Sequence, residues 1–408
     1  METKQNYTNW FAVAFATTFI GICFATVYFK VPSIMPMLME EYSIDLNQAS
    51  LLMSVFTIVP LVLAIPSGIL VKRIGPTNLY IFATIFVVIG SIIGAFADGA
   101  NLLIFSRGLE GVALIFGMIA GPIAIQTFVA PENRGKALGF FGVNISVGSF
   151  LGGVITPSLA DKVDIFGVWL SYAGLCVIAL LLLIICLKKK NYSKETLESN
   201  DVSQQENEAK VTLLFKPYIF RFLIGFMLWN LGVLAVLTFA PTFMQGEGIT
   251  PTMSGTMSTL PSLLSIIICP IFGILADKTN NNKALLVISA ASIVPGCFII
   301  FTTTNWPIWI GIIFLGFGMA VPTMSFIIFP KLLPRPELLG IGMGILNLAS
   351  NLGMLLGTIL PAAVLEITNG SWFTVGATLF GLTIIGVLCY ISVTTKKQDF
   401  VLHEGAVK

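Results

Sequence analysis

The stretch GILVKRIG, Gly68–Gly75, returns later in the chain as GILADKTN, Gly273–Asn280, so the second copy starts 205 positions after the first. This is one of three regions that repeat at the same offset without an insertion, and three such repeats indicate an internal duplication. The sequence therefore predicts two similar halves in parallel topology, related by an axis along the membrane normal. The other two pairs with this offset are Pro131–Gly135 with Pro336–Gly340, and Gly148–Gly152 with Gly353–Gly357.

The composition places both halves in a membrane. The chain has 408 residues, of which 56% are hydrophobic and 10% are charged, and its mean hydropathy is +0.93. Ordinary soluble proteins are far less apolar. A helix needs about 20 apolar residues to cross a bilayer, and twelve such runs are centred near residues 22, 60, 88, 115, 148, 178, 232, 265, 294, 318, 352 and 384. We expect an all-α integral membrane protein with twelve transmembrane helices, arranged as two six-helix bundles with pseudo-two-fold symmetry.

A polar segment separates the sixth run from the seventh. Residues 188–216 are rich in Lys, Glu, Asn and Ser, a composition typical of a solvated linker. The predicted organisation is an N-terminal bundle at 1–187, a cytoplasmic linker at 188–216, a C-terminal bundle at 217–395 and a cytoplasmic tail at 396–408.

The charges in the loops predict the orientation of the chain. Basic residues concentrate in the even-numbered loops, and the odd-numbered loops are acidic, with Lys162 as their single base. Because cytoplasmic loops carry the excess of Lys and Arg, we expect a multi-pass protein of the plasma (inner) membrane with both termini in the cytoplasm. The basic residues are Lys72, Arg73, Arg134, Lys136, Lys188 to Lys190, Lys278, Lys283, Lys331 and Arg335.

Several classes of function are disfavoured by the composition. The net charge of +2 forms no nucleic-acid face, and the single histidine, His403, lies in the predicted tail. The six cysteines stand in apolar runs without metal-ligand spacing. The chain also lacks HExxH, Gly-x-Ser-x-Gly and Walker motifs. We therefore expect no enzyme activity, no cofactor, no metal and no nucleic-acid partner.

Two motifs carry a family resemblance. The duplicated loops resemble the Gly-x-x-x-Asp-(Arg/Lys)-x-Gly signature of the major facilitator superfamily, and Arg107–Gly111, RGLEG, resembles its fourth-helix Arg-x-x-x-Gly motif. The resemblance implies a secondary transporter whose two bundles rock about a central small-molecule site. It also implies that the first, fourth, seventh and tenth helices line the central cavity.

The resemblance further implies a cytoplasmic gate at the two signature loops. The first copy departs from the family pattern, because Lys72 stands where the signature has Asp, so the latch there is different or weaker, or Lys72 is a positive-inside residue. In the fifth helix, Ser149 stands where family antiporters often carry Pro, which removes one argument for drug efflux. The gate residues implied are Gly68, Lys72, Arg73, Gly75, Arg134, Asp277 and Lys278.

Three charges fall inside apolar runs at similar predicted depth. Arg107 and Glu110 are three positions apart and can pair on one helix face, and Lys30 lies at the same level in the first run. Intramembrane charges normally face the bundle interior or an aqueous cavity. Two bases and one acid give a net charge of +1, which favours an anion, and a carboxylate is the simplest candidate. The alternatives are a bracing salt bridge for Arg107 and Glu110, and snorkelling to the interface for Lys30.

The repeat makes this cluster one-sided. The positions 205 residues after Lys30, Arg107 and Glu110 are Ala235, Ile312 and Leu315, all apolar. Glu110 is the candidate proton carrier, since substrate arriving at Arg107 would release it to bind a proton. The other candidate substrate-binding residues are Tyr28, Trp229, Asn230, Asn347 and Asn351, for which packing roles are the alternative.

These features favour a monomeric secondary transporter that moves a small organic anion through the lipid bilayer by rocker-switch alternating access. Proton-coupled uptake and anion exchange both fit. One alternative is an efflux antiporter for drugs or metabolites, although the excess of Lys and Arg over acid in the cluster disfavours cationic drugs. The alternative from another class is a membrane scaffold or receptor that transports nothing.

Overall fold

Helices form almost the whole of the computed structural model, which describes residues 9–187, 216–279, 281–334 and 338–393, and no strand occurs in these ranges. The predicted linker, apart from Lys216, and the predicted tail lie outside the described residues. The first half contains α1 Trp10–Glu41, α2 Leu46–Ala95, α3 Ala100–Phe128, α4 Pro131–Phe141 and α5 Asn144–Leu187. The second half contains α6 Pro217–Gly246, α7 Pro251–Thr279, α8 Asn282–Ile300, α9 Pro307–Gly318, α10 Val321–Leu332, α11 Leu339–Ile367 and α12 Trp372–Ser392.

Two of these helices each cross the membrane twice. Helix α2 has 50 residues and is broken at Gly75, where φ is 81° and ψ is 164°. At 1.5 Å per residue its length is about 75 Å, more than twice the bilayer core. Helix α5 is broken in the same way at Asp164, where φ is 55°. Helices α9 and α10 together form one span, Pro307–Leu332. The predicted twelve transmembrane segments and the all-α membrane fold are confirmed.

Twelve spans bring the start of α1 and the end of α12 to one side of the bundle. We call the side that carries Trp10 and Ser392 the terminal face and the opposite side the distal face. Near the distal face, α1 bends between its two internal prolines, and Ile34 leaves the helical region at φ −116° and ψ 15°. A proline removes a backbone hydrogen bond and crowds the preceding turn, which explains the bend at this position.

The duplication is visible in the packing of the paired glycines. A Cβ at Gly148 would lie 2.7 Å from the carbonyl oxygen of Ile22 on α1. A Cβ at Gly353 would collide with the carbonyl oxygen of Met227 on α6. Met227 stands 205 positions after Ile22, the same offset that separates the two glycines. Glycine permits this close helix approach in both halves, so the two bundles are built on the same contact.

The halves meet through small polar side chains on the distal part of the bundle. Asn47, at the distal end of α2, donates to Glu366 at 2.7 Å. Gln245 at the end of α6 donates to the carbonyl oxygen of Ser33 at 3.0 Å. The backbone of α5 touches that of α7 where Gly153 faces Gly255. Three hydroxyl pairs complete the contact, Ser54 with Thr358 at 3.0 Å, Ser158 with Thr252 at 3.2 Å and Ser146 with Ser265 at 2.8 Å.

Candidate functional site

The three intramembrane charges predicted from the sequence form one cluster. Lys30 Nζ lies 2.7 Å from Glu110 Oε1, and Arg107 Nη1 lies 2.6 Å from Glu110 Oε2. Ser91 donates its hydroxyl to Glu110 Oε1 at 2.6 Å. All three charged side chains are fully buried. Both carboxylate oxygens therefore accept from donors of three different spans, which fixes Glu110 at the centre.

Arg107 is further held by backbone carbonyl groups of two neighbouring helices. Its Nη1 donates to Val27 at 2.9 Å, its Nη2 to Tyr28 at 3.1 Å and its Nε to Leu52 at 3.3 Å. A guanidinium carries five N–H donors in a rigid fork, which suits several acceptors at once. Arg107 thus links α3 to α1 and α2 in addition to pairing with Glu110.

Aromatic rings cover both cations. Lys30 Nζ lies 4.0 Å from the ring centre of Trp169, and Arg107 Cζ lies 4.3 Å from the ring centre of Phe56. The face of an aromatic ring attracts a cation, most strongly away from water. The rings add α5 to the elements around the cluster and separate it from the lipid.

The second half keeps the packing of the cluster without its charges. A Cβ at Gly90 would lie 3.0 Å from Glu110 Cγ, and a Cβ at Gly296 would lie 2.8 Å from Leu315 Cγ. Leu315 is the repeat counterpart of Glu110, so a glycine makes room for the same position in both halves. Ala235 and Ile312, the counterparts of Lys30 and Arg107, are buried as well.

The location of the cluster differs from the sequence-based expectation. The resemblance implied that Lys30, Arg107 and Glu110 line a cavity between the halves, but all three are 0% exposed and bonded within the first half. The reason is that carbonyl groups of α1 and α2 and the carboxylate of Glu110 satisfy the cations internally.

Helix α1 carries a row of aromatic rings between the distal contact and the terminal face. Ser33, whose carbonyl oxygen contacts α6, shares an arc of about 80° with Phe19, Phe15 and Phe11 at 3.6 residues per turn. These rings stack in a row, 6.2 Å and 6.0 Å apart, and Phe15 and Phe11 are 47% and 50% exposed. Phe11 also packs on Phe140 of α4, with ring centres 5.9 Å apart, so the row lies along the first half and is partly exposed.

Helix α11 presents amides on the corresponding face of the second half. Thr358, which pairs with Ser54, lies within about 20° of both Asn351 and Asn347 around the helix. Asn351 Nδ2 donates to Asn347 Oδ1 at 3.3 Å, and Asn347 is exposed. We call the space between this face and the aromatic row of α1 the terminal gap.

Comparison with known proteins identifies the fold. The model of the Major Facilitator Superfamily matches residues 17–358. The chain belongs to the major facilitator superfamily. It is 25% identical over 379 residues to the multidrug transporter protein MdtP of Bacillus subtilis, covering 78% of this chain and 68% of that one. It is also 25% identical over 387 residues to a D-galactonate transporter of Escherichia coli, covering 86% and 88%. A crystal structure of the nucleoside transporter NupG shares the fold with a TM-score of 0.78 at 13% identity, covering 94% of this chain and 100% of that one.

Membership in this superfamily makes the chain a multi-pass membrane transporter, and the remaining predicted residues can be placed on that plan. Tyr28 is buried, and its ring stacks on Phe56 at 4.7 Å. Trp229 donates from Nε1 to the carbonyl oxygen of Gly318 at 2.9 Å. Asn230 accepts from Ser350 at 3.0 Å. These three side chains are held within their own halves, which matches the packing alternative in this conformation.

The residues assigned to the superfamily gate are only partly described. Gly75 makes the break of α2 with a positive φ of 81°, whereas Gly68 lies inside the helix. Arg73 and Lys278 are exposed, and Arg134 Nε donates to the carbonyl oxygen of Val129 at 3.1 Å. The side chains of Lys72 and Asp277 lie outside the described part of the structure.

Two members of the charge cluster were missed by the sequence reasoning. Ser91 and Trp169 are ordinary residues of apolar runs, and their role depends on contacts with other spans. One signal was available for the third span, because Gly90 and Gly94 are four apart and small residues at that spacing mark a helix contact. The sequence offers no comparable signal for Trp169.

Proposed function

We propose that this protein is a secondary active transporter that carries a small organic anion across the inner membrane by alternating access. Both termini lie in the cytoplasm in this proposal, as the basic loops indicate. One chain supplies both halves of the path, so a monomer suffices. The observation that carries the proposal is the buried cluster of two cations and one carboxylate, whose net charge is +1.

The field of this charge is large enough to select anions. The cluster bonds to the backbone of α1 at Val27 and Tyr28. The terminal gap begins at Phe19, about 12 Å further along the same helix and about one helix diameter across it, so the separation is roughly 15 Å. At an effective dielectric constant of about 20, a unit charge at that distance changes the energy of an anion by about 1.1 kcal/mol. This corresponds to roughly sixfold in affinity. A neutral solute gains nothing, and a cation loses the same amount.

Direct contacts for the substrate come from the borders of the terminal gap. Asn347 and Asn351 offer amide donors there. Galactonate is a carboxylate, so the similarity to a D-galactonate transporter supports an anion of this class. Either proton symport or anion exchange would supply the energy. For symport, Glu110 is the candidate carrier, because it is the one buried carboxylate among the described residues.

The proposal is tested by removing one positive charge without breaking the cluster. Lys30→Met leaves Glu110 paired with Arg107 and Ser91 and lowers the net charge to zero. In proteoliposomes we expect the KM for a transported carboxylate to rise about sixfold, while a neutral analogue is unaffected. Lys162→Met removes an exposed charge on the distal side and serves as the matched control. Unchanged carboxylate transport by Lys30→Met would contradict an electrostatic role for the cluster.

Efflux of apolar drugs is the second candidate. The exposed row Phe11, Phe15 and Phe19 would suit flat apolar molecules, and the similarity to MdtP points the same way. The same liposomes separate the two functions, because transport of a lipophilic cation should improve in Lys30→Met, whereas transport of an anion should weaken. Wild-type protein that moves neither class of solute would favour a scaffold or receptor.

A further inference from the structure

A cavity of about 530 Å³ opens on the distal face of the second half, away from the terminal gap and the charge cluster. Its walls come from the end of α6, the loop at 301–305 between α8 and α9, and the start of α12 at 371–373. Its volume lies within the roughly 300–1,000 Å³ of small-molecule sites. The transport path proposed above does not use it.

An aromatic cluster forms the floor of this cavity. The rings of Phe301 and Trp372 are parallel, with centres 5.8 Å apart. Phe243 lies 6.1 Å from the first ring and 5.6 Å from the second. Phe243 and Phe301 are buried, whereas Phe373, also in the wall, is 62% exposed. The cavity therefore has a fixed aromatic base and an apolar edge.

The polar part of the cavity lining carries negative charge and no positive charge. Glu247, at the end of α6, is exposed and is the only ionisable residue among those that line the cavity. The loop at 302–305 adds three threonines and an asparagine, and Ser371 adds a hydroxyl. A carboxylate beside aromatic rings favours an organic ammonium group. The hydroxyl of Thr302 donates to the carbonyl oxygen of Phe298 at 2.9 Å, so the other hydroxyl groups and the amide are the ones that can donate to phosphate oxygens.

The depth of the cavity matches the headgroup layer of a bilayer. Trp306 and Trp309 follow the wall loop directly and are 72% and 42% exposed, and Trp372 lies in the wall itself. Tryptophan is enriched where a membrane protein passes from hydrocarbon to water. A ligand in this cavity would therefore lie at the level of lipid headgroups, with Phe373 directed to its acyl chains.

We propose that this cavity binds the headgroup of an ethanolamine phospholipid. The primary ammonium group bonds to Glu247 beside the aromatic floor, and the phosphate accepts from the threonine loop. Phosphatidylglycerol lacks the ammonium group and is repelled by Glu247, so it serves as the comparison lipid that should bind more weakly. A soluble ammonium compound shares the chemistry of the headgroup and lacks the chains.

The test uses full-length protein in bilayers that contain phosphatidylethanolamine and phosphatidylglycerol in equal amounts. After extraction in mild detergent, mass spectrometry measures the ratio of the two lipids retained. We expect the wild type to enrich the ethanolamine lipid about fivefold, the size of a favourable exposed ion pair. Glu247→Gln should return the ratio to that of the bilayer. Glu41→Gln removes an exposed acid from the same face of the first half and should keep the enrichment.

Three results would overturn the proposal. The first is equal retention of both lipids by the wild type, and the second is full enrichment in Glu247→Gln. The third is displacement of the lipid by micromolar phosphoethanolamine, which would assign the cavity to a soluble ammonium solute. Glu247 is exposed at a helix C-terminus, where a negative charge is unfavourable, so its neutralisation should leave folding intact.

Discussion

At the scale of single residues, the three charged residues of the cluster differ in how much stability the protein loses when each is replaced. Burying a charge costs several kcal/mol, which is recovered only by close partners. Glu110 is the partner of both cations, whereas each cation has further contacts of its own. Arg107 bonds three carbonyl groups, and Lys30 lies over Trp169. The carboxylate is therefore the residue on which the cluster depends.

This asymmetry gives a prediction about stability. Glu110→Gln keeps the side-chain volume but leaves two buried cations close together, so we expect a loss of about 3–5 kcal/mol. Lys30→Met leaves a neutral pair and should cost much less. Thermal unfolding of the two purified variants in detergent measures the difference. Equal melting temperatures would show that Glu110 is not the common partner. The double variant Lys30→Met with Glu110→Gln should recover part of the loss, because only one cation then lacks a carboxylate.

At the scale of helices, the two halves approach closely at the glycine contact of α5 with α7. A Cβ on Gly255 would collide with the backbone of Gly153. The surrounding contacts are small hydroxyl groups, such as Ser158 with Thr252, which can separate without leaving a buried charge. Helices held in this way can close tightly and still part, as alternating access requires.

Gly255→Ala should therefore open the distal contact. The added methyl group forces α7 away from α5, so the population should shift towards the state in which the halves part distally. Gly174→Ala in α5 meets no atom within 4 Å and is the matched control. With the native cysteines replaced, a Ser54→Cys and Thr358→Cys pair reports closure, because their hydroxyl oxygens are 3.0 Å apart. Disulfide formation should slow several-fold with Gly255→Ala alone, and equal slowing by both alanines would refute the steric explanation.

Some contacts between helices could be predicted from the sequence, and others could not. The offset of 205 residues predicted two similar halves, and the contact of Gly148 with α1 recurs as the contact of Gly353 with α6. The sequence did not predict which helices these glycines contact. The spacing of Arg107 and Glu110, with the depth of Lys30, predicted their association. Burial of the cluster was missed, because it depends on carbonyl groups of α1 and α2 that turn towards Arg107 only in the folded bundle. The aromatic row of α1 also went unnoticed, since phenylalanine is frequent throughout this chain.

At the scale of the whole molecule, the contacts between the two halves are unevenly distributed along the bundle. The hydrogen bonds between the halves that join described residues lie on the distal side or near mid-membrane. The faces of α1 and α11 are exposed towards the terminal side. If the termini are cytoplasmic, this is the inward-facing state. A sequence cannot show which state is favoured, because one chain encodes both and they differ by only a few kcal/mol.

Access of water to the terminal gap provides the test at this scale. Phe15→Cys should react with a membrane-impermeant maleimide added from the terminal side, since a thiol must be hydrated to ionise. Leu181→Cys is the matched control, because Leu181 is 55% exposed against 47% for Phe15 and lies at a comparable depth in α5. It stands opposite the buried Ala179 and Leu183 around that helix, so we expect lipid to cover it. Inside-out and right-side-out vesicles then assign the terminal side. Gly255→Ala should slow labelling of Phe15→Cys as the terminal gap closes. Equal reactivity of the two cysteines would mean that lipid covers the aromatic row and that the halves do not part there.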